Sequence, residues 1–428
     1  MKLINFLRNK INKIIFSGIV ISTLTVIGGF FGYLSQILLG RYLSLEEYAT
    51  FTAIFALCAF VNSPLNGIML IYSRKVTYLN SISGDIISLY KTLIIKILIL
   101  LIILFFFIVY LDQYISNLLK YETIYIYFIY FFFLINFLTT INSSFFNGLK
   151  QSFWFGAIGS FQQFLKLIFF LILIFVSMSL KYFFVSVLFS LIIVFLLSTN
   201  ILFKIIKNIT NHYKKSITNQ IFDYKSKYLS VIVASVSFVG LTQLDIFYAN
   251  YLFAKDQAGY FALAAILGKA ILYISHGLSY SLFPFSSEAS AMGKNDTNNL
   301  FKVIGTSSLI SIFISIIFFF FSYEILYFVF NINNIISSNI LKYYGFVIFP
   351  YTQIYILENY LISKDKIIFA WISLIFLPLQ LSLTLIYATT LESILIIFSG
   401  TGYLLLLVGI LFMSYILKYE KKLSDKKY

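Results

Sequence analysis

The chain has 428 residues, 60% of them hydrophobic and only 11% charged, with a formal net charge of +15 and a mean hydropathy of +0.93. A soluble domain is about 45–50% apolar and about 25% charged, so this composition excludes a large water-soluble core. It points to apolar runs of about 20 residues, each long enough to cross about 30 Å of hydrocarbon as a helix. Their continuity favours helices over the alternating strands of a barrel.

The basic start, "MKLINFLRNKINK", is followed by an apolar run from Ile14 to Leu39. That run is too long for the apolar part of a cleaved leader and carries no A-x-A site, so it reads as an uncleaved first span. Further spans are predicted at 48–72, 89–111, 123–147, 152–178, 182–206, 226–252, 257–283, 300–323, 341–362, 366–388 and 393–417. The tenth is the weakest, because Pro350, Gln353 and Glu358 interrupt it.

Charge placement fits twelve spans. Loops on the side of the N-terminus carry 23 of the 31 basic residues, and the opposite loops carry five: Arg41, Lys120, Lys181, Lys255 and Lys342. Three, Lys96, Lys166 and Lys269, fall inside spans. This is the positive-inside bias of a bacterial inner-membrane protein with both termini cytoplasmic. The net charge therefore reflects topology, and no soluble aromatic-basic groove suggests nucleic acid. The expected organisation is an N-terminal six-helix bundle (1–206), a basic cytoplasmic linker (207–225), a C-terminal six-helix bundle (226–417) and a basic tail (418–428). The linker is placed to lie near anionic membrane lipids.

The halves repeat. "RYLSLEEYATFTAI" (41–54) aligns without gaps to "NYLFAKDQAGYFAL" (250–263), with Tyr, Leu, Ala and Ala identical. The offset is 209 residues, from Arg41 to Asn250, and each copy links the first two spans of its half. Two six-span repeats that both start inside are related by an axis along the membrane normal. The expected fold is all-α and polytopic: about 12 transmembrane helices in two pseudo-symmetric six-helix bundles around a central cavity.

These elements, with "QLDIFYANYLFAKDQAGYFALAAILGK" across spans seven and eight, resemble the Wzx-type polysaccharide flippases of the multidrug/oligosaccharidyl-lipid/polysaccharide (MOP) superfamily. The family pattern R-x-L-x-x-x-x-Y/F-G meets Ala49 and Thr50 near its expected glycine here, while the second copy keeps Gly259. The resemblance implies a MATE-like fold and translocation of an undecaprenyl-pyrophosphate-linked oligosaccharide for O-antigen or other surface polysaccharide. It also implies partners in the polysaccharide polymerase and chain-length machinery.

The polar residues inside spans fall into helical stripes: Asn62, Asn66 and Ser73, ending near Arg74; Asn136, Thr139, Ser143 and Asn147; Gly159, Gln162, Gln163 and Lys166; Lys269, Tyr273, His276 and Tyr280; Tyr351, Tyr355 and Glu358. Such stripes either join helices or line a cavity. A sugar pyrophosphate needs cations for its phosphates, for which Arg74, Lys96, Lys166 and Lys269 are candidates. It needs amides, hydroxyls and rings for its sugars, for which Asn66, Asn147, Gln163, Tyr273 and Tyr280 are candidates. Asp245 and Glu358 are acids in apolar runs, where charge costs about 2.5–3.5 kcal/mol, so each pairs with a base or binds a coupling H+ or Na+.

His276 reads as a packing residue, His212 as a solvated one and Cys58 as a small buried hydrophobe. No cofactor, metal cluster, nucleophile elbow or phosphate-binding glycine loop is present in the sequence, which argues against an enzyme. The alternative to a flippase is a cation-coupled multidrug exporter on the same plan. A polysaccharide polymerase fits less well, because no long outer loop is present. A peptidoglycan-precursor transporter usually carries spans beyond twelve.

Overall fold

A computed structural model describes residues 13–81, 85–210, 225–273, 277–279, 286, 296–364 and 366–424. The helices follow in the order α1 (Lys13–Tyr42), α2 (Leu45–Asn62), α3 (Pro64–Ser81), α4 (Ile86–Leu119), α5 (Thr123–Gly148), α6 (Ser152–Phe175) and α7 (Leu180–Thr210). Then come α8 (Lys225–Leu252), α9 (Lys255–Gly268), α10 (Thr297–Phe330), α11 (Ile335–Ser363), α12 (Ile368–Tyr387) and α13 (Leu391–Ser424). No strand occurs among the described residues. Among the described residues eleven segments are long and apolar enough to cross a membrane, so the chain is a multi-pass membrane protein.

One of these, Leu45–Asn80, is α2 and α3 together, broken at Ser63. Pro64 opens α3 at a position whose N–H a helix leaves unused. The segment outside the eleven is α11, the weakest span in the sequence. It is 29 residues long and packs against α9, α10, α12 and α13. Those neighbours cover its polar side chains: Tyr344, Tyr351, Thr352, Gln353 and Glu358 are all buried. A helix wrapped by other helices has no need of a lipid-facing hydropathy.

Polar residues set the helix ends. Ser44 Oγ accepts from Glu47 N–H while Glu47 Oε2 accepts from Ser44 N–H, a reciprocal cap that starts α2. Asp85 Oδ1 caps α4 through Ser88 N–H, and Asn334 Oδ1 caps α11 through Ile336 N–H.

The chain forms two compact units, Met1–Leu43 with Leu57–Ile232, and Ser44–Ala56 with Val233–Tyr428. The division differs from the sequence expectation at both borders. Ile232 packs directly on Gly67, where a Cβ would come within 2.3 Å of it, and this holds the start of α8 to the first unit. The start of α2 joins the second unit, where the Leu45 carbonyl lies 2.4 Å from the Cβ position of Gly259.

In the first unit α1 and α6 run parallel: Leu24 meets Gly156, Gly28 meets Ser160 and Gly32 meets Gln163. A Cβ on Gly28 would lie 2.8 Å from the Ser160 Cα, so the glycine permits the close backbone approach that packs helices in lipid. A second core gathers Ile141, Phe145 and Phe146 of α5 with residues of α3, α4 and α7.

The internal repeat extends into the packing. Asn142 of α5 accepts from Tyr90 Oη at 2.8 Å and donates to Ser198 Oγ at 2.8 Å and Thr199 Oγ1 at 2.9 Å on α7. The residue 209 positions later is Tyr351 of α11 (351 − 142 = 209), which donates to the Phe398 carbonyl at 2.7 Å on α13 and accepts from Gln380 at 2.7 Å. Both hubs are fully buried, and each ties the fourth span of its half to the sixth.

Candidate functional site

The second unit holds a buried ion pair. Asp245 on α8 is 2% exposed, and Lys269, the residue that follows α9, is 7% exposed. Lys269 Nζ donates to Asp245 Oδ1 at 2.7 Å and to Gln243 Oε1 at 3.3 Å. Tyr344 Oη donates to the second carboxylate oxygen, Oδ2. Both carboxylate oxygens are therefore satisfied. Gly268 makes this geometry possible: a Cβ there would lie 2.1 Å from Tyr344 Cδ1, so only a bare backbone lets the ring reach across α9.

Tyr344, Tyr351 and Glu358 recur every seven residues on α11, about 10 Å apart along the axis. Tyr344 completes the ion pair and Tyr351 the α11–α13 knot. Glu358 is 3% exposed, with the Ser373 hydroxyl of α12 beside it, and its Oε1 has no hydrogen-bond partner. Tyr355, assigned to this stripe from the sequence, packs on Phe238 with the rings tilted at 46° and their centroids 4.6 Å apart.

The first unit also holds a buried cation. Lys166 of α6 is 6% exposed, and no hydrogen bond or ion pair reaches its ammonium among the described residues. The helices packed on α6 are α1, α5 and α7. None of these four helices carries an aspartate or glutamate. Gln163, one turn before Lys166, has a buried Oε1 without a partner, and so does Gln36 of α1.

The remaining sequence candidates lie elsewhere. Arg74, Lys96 and Asn66 are exposed on the first unit, and Asn147 is half-buried. Lys96 sits among the exposed apolar residues Ile95, Ile99 and Leu100 of α4. Tyr273 is 57% exposed, while Tyr280 and His276 lie outside the described residues. No cluster of metal-ligating side chains occurs among the described residues. Sequence reasoning missed Tyr344, Gln243 and Gln36. Tyr344 was detectable as the residue seven before Tyr351.

A second ion pair sits between spans. Asp296, just before α10, accepts from Lys364 Nζ at 2.6 Å and Tyr360 Oη at 3.0 Å, at the end of α11. Lys364 Nζ also lies 4.8 Å from the Tyr360 ring centroid. Burial pushes the Asp296 carboxyl up, but Lys364, the neighbouring Ser286 and Tyr360 more than offset it and hold it below the usual carboxylate range.

Together these features define a polytopic α-helical membrane protein with a duplicated core and buried charges inside its spans. No protein-family model and no curated protein matches the chain. Among solved structures it is similar to the lipid II flippase MurJ in an inward closed conformation, at 19% identity and a TM-score of 0.63, over 92% of this chain and 87% of that one. It is also similar to a multidrug resistance MATE family transporter of the MOP superfamily. The inward-facing form gives 11% identity and a TM-score of 0.70 over 95% and 99% of the two chains; the outward-facing form gives 14% and 0.65 over 95% and 96%. The fold is therefore the one shared by the lipid II flippase and the MATE transporter.

Proposed function

We propose that this protein flips undecaprenyl-pyrophosphate-linked oligosaccharide repeat units from the cytoplasmic to the outer leaflet by alternating access, for O-antigen or another surface polysaccharide. Lys166 carries this reading. It is a buried cation on a helix whose packing neighbours offer no acid. An uncompensated charge at this depth costs about 2.5–3.5 kcal/mol, and an anionic cargo is the counter-ion that would offset it. Lys269 contributes less, because Asp245 and Tyr344 already engage it or its partner. Polymerase and chain-length proteins would take the product in the bacterial inner membrane.

A second reading, a cation-coupled multidrug exporter, is favoured by one observation: the unpartnered buried Oε1 of Glu358. Within the flippase reading the same carboxyl would carry a coupling H+ or Na+, for which Asp245, held by Lys269, is less available. A deletion strain separates the two readings. Accumulation of complete lipid-linked repeat units with loss of surface polysaccharide supports the flippase. Unchanged intermediates with new sensitivity to cationic drugs replaces it with the exporter.

A further inference from the structure

The 209-residue offset carries more than a likeness of shape. Asp245, five residues before the aligned segment begins at Asn250, corresponds to Gln36 (245 − 36 = 209), with no gap between either residue and the aligned repeat. In the second unit this position supplies the carboxylate that neutralises Lys269. In the first unit it supplies a neutral amide. The parallel contacts of α1 and α6, Gly28 with Ser160 and Gly32 with Gln163, carry on by one turn to place Gln36 level with Lys166. Gln36 Oε1 and Gln163 Oε1 are both buried without partners, and Lys166 has none either. Three polar groups within about one turn of one helix pair are thus left unsatisfied, whereas buried polar groups are ordinarily hydrogen-bonded.

We propose that Lys166, Gln36 and Gln163 form an anion socket in the first unit, in which a phosphate oxygen of the cargo supplies the counter-charge that Lys166 lacks. The assignment rests on the flippase reading and specifies where that reading's pyrophosphate is held. An ammonium gives a phosphate a charge-assisted bond, and a glutamine amide turned about its last bond presents Nε2 as a donor. Gly32 leaves the room beside the Gln163 amide, since a Cβ there would come within 3.2 Å of Oε1.

The test measures binding of farnesyl pyrophosphate to the purified full-length protein in nanodiscs, with thermal melting of each variant recorded alongside. Gln36→Glu is the decisive variant. It is isosteric, restores the missing carboxylate and pairs with Lys166, so binding should fall about ten-fold or more while melting holds or rises. Lys166→Met should lose binding to a similar degree, and Lys166→Arg should keep it. Inorganic pyrophosphate should compete, and added phosphatidylglycerol should not. Unchanged affinity in both Gln36→Glu and Lys166→Met, with wild-type binding intact, overturns the socket and leaves the flippase reading standing. Equal competition by phosphatidylglycerol makes the site a headgroup site and overturns its assignment to cargo. No binding by the wild-type protein counts against the flippase reading itself.

Discussion

Replacing Lys269 with Met removes the ammonium from a site where Asp245 is 98% buried by the measure of its 2% exposure. The carboxylate keeps Tyr344 but loses its 2.7 Å partner and its counter-charge. Removing one member of a buried pair costs about 3–5 kcal/mol, chiefly because the other charge is stranded. Asp245→Leu strands the ammonium in the same way, with only Gln243 at 3.3 Å left to it. The double variant strands neither, and apolar replacement of a whole buried pair is often close to neutral. Unfolding of detergent-solubilised protein, followed by fluorescence-detected size exclusion after heating and by chemical denaturation, should show two destabilised single variants and a double variant near wild type. The coupling should exceed about 2 kcal/mol. Single variants within about 0.5 kcal/mol of wild type, or a double variant that loses the sum of both, would refute the reasoning.

Gly268→Ala puts a methyl group 2.1 Å from Tyr344 Cδ1, so the ring must leave Asp245; a loss of about 1–3 kcal/mol should appear in the same assay, and wild-type stability would show that the ring can shift without cost. Asp296 has a folded pKa below its unfolded value of about 3.9, so its contribution is complete above that value and is lost as pH falls through the folded one. Acid melting curves should therefore flatten in Asp296→Asn below about pH 4, and an unchanged acid limb would exclude this carboxyl. Tyr351→Phe deletes the donor to Phe398 and the acceptor for Gln380, and should cost about 1–2 kcal/mol with expression retained. Glu358→Gln should leave melting unchanged but abolish any dependence of transport on a proton or sodium gradient; retained ion dependence would move coupling elsewhere.

The spans were legible because hydropathy is a property of local sequence, and lipid imposes it on any helix it touches. The exception is informative. α11 is read weakly because its neighbours shield it from lipid, so its Tyr351, Gln353 and Glu358 are paid for by packing rather than excluded. The unit borders were not legible, since Leu45 against Gly259 and Ile232 against Gly67 are contacts between distant positions. Stripes were only a partial guide. On α5 the stripe of Asn136, Thr139, Ser143 and Asn147 misses Asn142, the actual hub. Asn136 and Thr139 instead bond back to the Phe132 and Ile135 carbonyls of their own helix. Spacing identifies a common face, but only the neighbouring helix decides whether that face is completed. Lys269 was legible as a partner for Asp245 because the two lie at nearby depths on consecutive antiparallel spans; Lys166 was legible as a cation but not as an unpaired one.

The two units have kept the same hubs and diverged at their charges. Asn142 and Tyr351 occupy corresponding positions and do the same structural work with different chemistry, because a knot between two helices needs only satisfied donors and acceptors. Charge is less forgiving, since an ion in a span needs a partner of opposite sign. The second unit meets that demand internally at Asp245 and Lys269. The first unit does not meet it at Lys166, whose packed helices carry no aspartate or glutamate. Leu or Met would insert there at lower cost. On the proposed flippase reading the two lysines have different duties: Lys269 holds a helix pair together, and Lys166 meets a charge that arrives from outside the protein.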